Sequence, residues 1–253
     1  MILLPHNTET IINLISEYWP RIDQKYITKL LKGGGGIDPF EGLILYCYIL
    51  KFQPKGLIEF SPNLGYSTQW IALALQQLGQ QNSFWTFEIN KRILPQLKNN
   101  LEYLKQYVSI IDGDALETIP QIIKDKQIDL CFIDSNHGYK FAINYIDIIF
   151  PLLMPNCFIT VHDICTDESL IKSNSFKTSL FDSSDEHSGE YKAIKDFLSR
   201  KKINYCVLHS ITGGQHEGAN LPINEKFYSK IKNITSRDFI SNLICPKTIF
   251  FNI

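Results

Sequence analysis

The chain has 253 residues, 44% of them hydrophobic and 20% charged, and a formal net charge of −1. That size and balance describe one soluble α/β domain with decoration and lack the basic footprint of a nucleic-acid or anionic-membrane binder. No apolar run is long enough to span a bilayer, and Met1–Asn7 lacks the basic start and apolar length of a secretory leader. Six scattered cysteines (Cys47, Cys131, Cys157, Cys165, Cys206, Cys245) form no C-x-x-C pair, so a reducing, cytoplasmic setting is expected.

In chain order, residues 8–18 predict an amphipathic helix capped by Asn7 or Thr8. Pro20 breaks the pattern. The run Gly33–Gly36 has no strand before it and no Lys-Ser/Thr after it, so it reads as a connector or hinge and not as a phosphate loop. Asp38 and Pro39 then open a second helix that runs to about Leu50. Residues 1–55 are therefore expected to form an N-terminal helical cap that covers a pocket, forms a homodimer contact, or does both.

From Gly56 onward the periodicity alternates. Strands are expected at 56–61, 83–89, 108–112, 128–134 and 156–162, with helices between them at 66–79, 91–105, 115–125 and 138–153. This order predicts a parallel, doubly wound sheet with right-handed crossovers. A polar stretch at 166–188 reads as a substrate lid or a surface loop. A helix over 189–198 and strands at 203–211 and 247–253 close the chain. Two strands without a helix between them cannot continue the winding, so the last is expected to insert antiparallel. The result is a Rossmann-like sheet of seven strands, mostly parallel, with helices on both faces, over residues 56–253.

The segment Gly56-Leu-Ile-Glu-Phe-Ser-Pro-Asn-Leu-Gly-Tyr-Ser-Thr68 carries the most chemistry. It reads as a buried strand ending on Glu59, a loop around Gly65 and a helix start. Ligands of open α/β sheets sit at such strand ends. A dinucleotide needs G-x-G-x-x-G so that the backbone can approach its diphosphate. Here Ser61, Pro62 and Asn63 replace the early glycines, and proline removes an amide donor. A phosphate-free, cationic cofactor such as S-adenosylmethionine (SAM) suits this loop better.

This loop, the acidic end of the second strand and the terminal hairpin resemble class I SAM-dependent methyltransferases. Asp129–Lys140, Asp147, Pro151–Asn156 and Val161-His-Asp163 narrow the resemblance to the small O-methyltransferase group of catechol, macrocin and cephalosporin-biosynthesis types. The resemblance implies that Glu59, Ser61 and Gly65 line the methionine end of SAM, that Glu88 accepts the ribose hydroxyls, and that Asp114 lies near adenine. It also places Asp134 at the cofactor. Ser61 departs from the glycine usual in that group. Asp114 reads equally as a helix N-cap.

The candidates for chemistry are Asp134, His137, His162 and Asp163, at the ends of the fourth and fifth strands. Two mechanisms are open. In one, Asp134 and Asp163 hold a divalent cation such as Mg²⁺ that acidifies a hydroxyl acceptor. In the other, His162 or His137 is a general base. Histidine at 162 matches Mg²⁺ poorly, because Mg²⁺ takes oxygen ligands. The expected acceptor is a small molecule, with neither nucleic acid nor membrane as partner. An NAD-dependent oxidoreductase and a non-catalytic SAM-binding scaffold are the competing readings.

Overall fold

A computed structural model describes residues 8–27, 37, 39–164, 189–209 and 246–253. The Gly33–Gly36 run, Asp38 and the 166–188 segment lie outside the described residues. Helices are α1 (Thr8–Tyr18), α2 (Gln24–Ile27), α3 (Pro39–Phe52), α4 (Tyr66–Leu78), α5 (Leu94–Asn100), α6 (Ala115–Ile123), α7 (Tyr139–Ile148) and α8 (Glu190–Lys201). Strands are β1 (Leu57–Phe60), β2 (Phe84–Glu88), β3 (Ser109–Asp112), β4 (Leu130–Ile133), β5 (Phe158–Val161), β6 (Tyr205–His209) and β7 (Pro246–Asn252).

The strands lie in the order β3-β2-β1-β4-β5-β7-β6. Strands β1 to β5 pair in parallel, and β7 runs antiparallel between β5 and β6. The expected doubly wound sheet with an inserted antiparallel last strand is thus present. The winding reverses between β1 and β4, so the crevice for a ligand opens at their carboxyl ends.

Two predicted helices are shorter than their apolar patterns. The pattern over 91–105 divides into α5 and a 3₁₀ turn at Glu102–Leu104. The pattern over 138–153 divides into α7 and a 3₁₀ turn at Phe150–Leu152, where Pro151 removes the amide that α-helix continuation needs. Pro20 sits inside a 3₁₀ turn, Trp19–Arg21, and the four-residue α2 is too short to show a period.

Strand alternation sorts the core into two layers. Leu57, Phe84, Leu130, Phe132, Phe158 and Phe250 face the layer of α1, α3, α4 and α5. Ile58, Phe60, Cys131, Ile133, Ile159, Val161, Ile249 and Phe251 face α6, α7 and α8. Every residue from Glu41 to Leu50 on α3 is buried, as expected of a helix apolar nearly all round. Gly42 lets α3 approach α4 closely, since a Cβ there would come within 2.4 Å of the Trp70 indole. Cys47, Cys131 and Cys157 are free buried thiols, and burial pushes each well above its usual range, leaving them inert.

Candidate active site

The same alternation aims the site. Continuing each strand by parity puts Glu59, Asp134, His162 and Thr248 on the α3 side of the sheet. A cleft of about 450 Å³ opens where β1, β2, β4 and β5 end, and Ser61, Asn63, Ser67, Glu88, Asp134 and Asp163 are among its lining residues. Among the described residues its lining includes these three acidic side chains and no lysine or arginine.

The loop after β1 is tightly curled. Ser61, Asn63 and Gly65 all have positive φ, at 54°, 50° and 89°. At Gly65 a Cβ would also lie 3.0 Å from Leu97 Cδ1. Gly65→Ala is expected to cost about 1–2 kcal/mol from the left-handed backbone alone. Urea unfolding checks this, and an unchanged midpoint would mean that the loop relaxes freely.

Glu59 does not border the cleft. It is fully buried behind the loop, accepting hydrogen bonds from Ser67 Oγ (2.6 Å) and Thr68 Oγ1 (2.7 Å) on the first turn of α4. Burial pushes its carboxyl up to about 7, against the lowering effect of those hydroxyls. It fastens the strand end to the helix start. Glu88 is 3% exposed and does border the cleft. Its two oxygens accept the backbone N–H of Asn63 (3.2 Å) and of Asn90 (2.7 Å), so it ties the β1 and β2 loops together. Asp114 caps α6 by accepting the Leu116 N–H at 2.8 Å, and it is not among the cleft residues.

Asp134 and Asp163 line the cleft, but His162 does not. His162 is 1% exposed, with Nε2 3.1 Å from Glu41 Oε2 and Nδ1 3.4 Å from Asp134 Oδ1 and 3.5 Å from Asp163 Oδ2. Burial disfavours its charged form, but Glu41 and then Asp134 outweigh burial and raise it well above the usual histidine range. Burial likewise opposes ionisation of Asp134, yet the charge of His162, aided by His137, holds that carboxyl below its ordinary value. Glu41 also accepts a hydrogen bond from Thr248 Oγ1, which joins α3, β7 and the end of β5 in one buried cluster.

His137 lies beside this cluster. Its Nε2 is 3.9 Å from Asp134 Oδ1, and its Nδ1 is 2.9 Å from Glu190 Oε2. Glu190 is fully buried and also accepts the Tyr145 hydroxyl at 2.9 Å. Burial works against His137's charge, but Glu190 outweighs it and raises the imidazole; burial raises Glu190 despite both partners. Sequence reasoning missed Glu41 and Glu190. Glu41 left a signal: an acid inside an otherwise apolar helix must find a buried partner.

The atoms that Asp134, His162 and Asp163 offer lie within 4.8 Å of one another, as a metal site requires. They do not fit Mg²⁺. A cation held by both carboxylates would also meet the His162 ring, which either repels it as imidazolium or offers the nitrogen that Mg²⁺ accepts least.

The cofactor fits better. Among the described lining residues, three carboxylates and no basic side chain suit a sulfonium and an amine, and they repel a diphosphate.

Residues 62–164 match the family model described as a methyltransferase domain, which is the stretch from the curled loop to the end of β5. The chain is 25% identical over 143 residues to a catechol O-methyltransferase of Niastella koreensis, covering 55% of this chain and 62% of that protein. The chain thus matches about three fifths of that relative's length. Among solved structures, an O-methyltransferase from Bacillus cereus in complex with SAH has a TM-score of 0.62 at 16% identity, covering 98% of this chain and 100% of that one. The O-methyltransferase TomG from Streptomyces achromogenes, involved in tomaymycin synthesis and solved with SAM, has a TM-score of 0.55 at 12% identity, covering 97% of this chain and 88% of that one. The fold is thus the Rossmann-like one of these methyltransferase structures, and the matched relatives are named as O-methyltransferases, in keeping with the resemblance read from the Glu59–Thr68 and Asp129–Asp163 motifs.

Proposed function

We propose that this chain is a SAM-dependent methyltransferase acting on a hydroxyl oxygen of a small-molecule acceptor, without a metal. The acidic, phosphate-averse cleft at the β1/β4 switch point is the observation that carries this reading. SAM supplies an electrophilic methyl group on a sulfonium. Glu88 accepts the ribose hydroxyls, and Ser61, Asn63 and Ser67 hold the methionine end. Glu59 acts from behind the loop and Asp114 keeps its place as a helix cap. Asp163, at the cleft wall, orients the acceptor. Asp134 presents a carboxylate kept ionised by His162.

His162 is unsuited to serve as the base, since its ring is 1% exposed and outside the cleft lining, and the carboxylates at its nitrogens favour the protonated form, which has no lone pair. His137 does not itself line the cleft but stands 3.9 Å from Asp134, which does, and its side chain is 19% exposed against 1% for His162; in its neutral form it takes that role through Nε2. The acceptor oxygen bonds to the methyl carbon, the carbon–sulfur pair stays with sulfur, and the hydroxyl proton passes to His137. Positioning supplies much of the acceleration in such an in-line displacement.

Radiolabelled methyl transfer from SAM to catechol, chosen because a relative is named for it, tests the reading. Transfer that is unchanged by EDTA and falls at least about a hundredfold in His137→Gln is expected. Transfer abolished by EDTA and restored by Mg²⁺ would overturn the metal-free mechanism. Tight SAM binding with no turnover on any hydroxylated acceptor would favour the scaffold.

A further inference from the structure

The contact between His137 and Glu190 is made twice. The Glu190 carboxylate meets His137 Nδ1 at 2.9 Å, and the Glu190 backbone N–H donates to the His137 carbonyl at 2.9 Å. Glu190 is the first residue of α8, where the helix end favours a negative charge. Its other oxygen is taken by the hydroxyl of Tyr145, itself fully buried on α7. Two helices and the loop after β4 therefore converge on a carboxylate with no exposed surface. A buried acid of this kind is costly unless its partners are fixed, and here each oxygen has one.

We infer that Glu190 is a positioning residue that locks His137 in the tautomer protonated at Nδ1, leaving the Nε2 lone pair on the side of Asp134. The argument is geometric. Of the two carboxylates beside the ring only Glu190 is within hydrogen-bond distance, 2.9 Å against 3.9 Å for Asp134, and an ionised carboxylate accepts but cannot donate, so in the neutral ring Nδ1 carries the proton. The neutral ring then has its lone pair on Nε2, the nitrogen 3.9 Å from Asp134. The double grip also fixes the ring's rotation, because the backbone that bears His137 cannot shift without breaking the bond to α8. This inference rests on the reading of His137 as the base, but the tautomer itself does not depend on that reading.

The test uses the full chain, ¹⁵N-labelled at histidine, with Glu190→Gln as the main variant. That substitution keeps the shape but lets an amide N–H face Nδ1. Long-range ¹H–¹⁵N spectra are recorded above the titration of the imidazole, with the His137 signals assigned from His137→Gln. The wild type is expected to show Nδ1–H with Nε2 as acceptor, and Glu190→Gln a mixture or the opposite tautomer. Tyr145→Phe, which leaves the His137 contact intact, is expected to keep the wild-type pattern. In transfer to catechol, Glu190→Gln is expected to lower kcat at least tenfold while leaving the KM for SAM within about twofold. An unchanged tautomer in Glu190→Gln overturns the inference, and so does an unchanged kcat where His137→Gln is inactive. The spectra need no acceptor, so they decide the role of Glu190 even if catechol is not methylated. Failure of the wild type to bind SAM would instead sink the methyltransferase reading.

Discussion

Glu88→Ala is expected to weaken SAM binding by about a hundredfold. The carboxylate is 3% exposed at the end of β2, and each oxygen already accepts one backbone N–H, from Asn63 or Asn90. A carboxylate oxygen can accept more than one bond, so both keep capacity for the two ribose hydroxyls. A hydrogen bond to a charged group contributes about 1.5–3 kcal/mol. Losing two, discounted for water that replaces them, leaves roughly 3 kcal/mol, or two orders of magnitude in affinity. The variant also orphans the Asn63 N–H, which loosens the loop carrying Ser61 and Gly65. Calorimetric titration checks the affinity, and circular dichroism checks that the fold survives. Affinity within a factor of three of the wild type would mean that the ribose lies elsewhere.

His162→Ala carries the largest expected effect on stability. The imidazole stands among three carboxylates, from Glu41 on α3, Asp134 after β4 and Asp163 after β5. Its removal leaves Glu41 and Asp134 facing a cavity without their cation. Breaking a buried pair by removing one partner costs about 3–5 kcal/mol, which in a domain of this size lowers Tm by roughly 10 °C. The pH dependence follows from the raised folded-state pKa of His162. Its contribution is fully present below the unfolded value of about 6.5 and is lost as pH rises through the folded value. The gap between wild type and variant should therefore be wide at mildly acidic and neutral pH and shrink in strong base. Adding Glu41→Gln to His162→Ala should recover part of the loss, since the two are coupled. A loss below 1 kcal/mol at neutral pH would show that His162 is not the internal cation.

The sheet was legible because apolar alternation and turn residues are local signals. So were the lining residues Ser61, Glu88, Asp134 and Asp163, which stand at strand ends that the pattern itself defines. What could not be read was depth. His162 and Asp163 are neighbours in sequence, yet His162 keeps the strand's parity and turns inward to Glu41, while Asp163, past the strand end with φ 49°, lies at the cleft wall. Glu59 ends an apolar strand as a ligand-facing acid would, but two hydroxyls of α4 enclose it. Glu190 carries no local signal, since its partner His137 comes from a distant loop. Each is a contact between polar groups, local for Glu59 and long-range for His162–Glu41 and His137–Glu190, which no periodicity encodes. The expected lid at 166–188 lies outside the described residues.

The most direct test of the central claim is calorimetric titration of the wild-type chain with SAM and, separately, with NAD. The cleft geometry predicts micromolar binding of SAM and none of NAD, because a diphosphate would face the carboxylates of Glu88, Asp134 and Asp163. Binding of NAD, or no heat with SAM, would contradict the assignment of the cleft and of the Gly65 loop beside it.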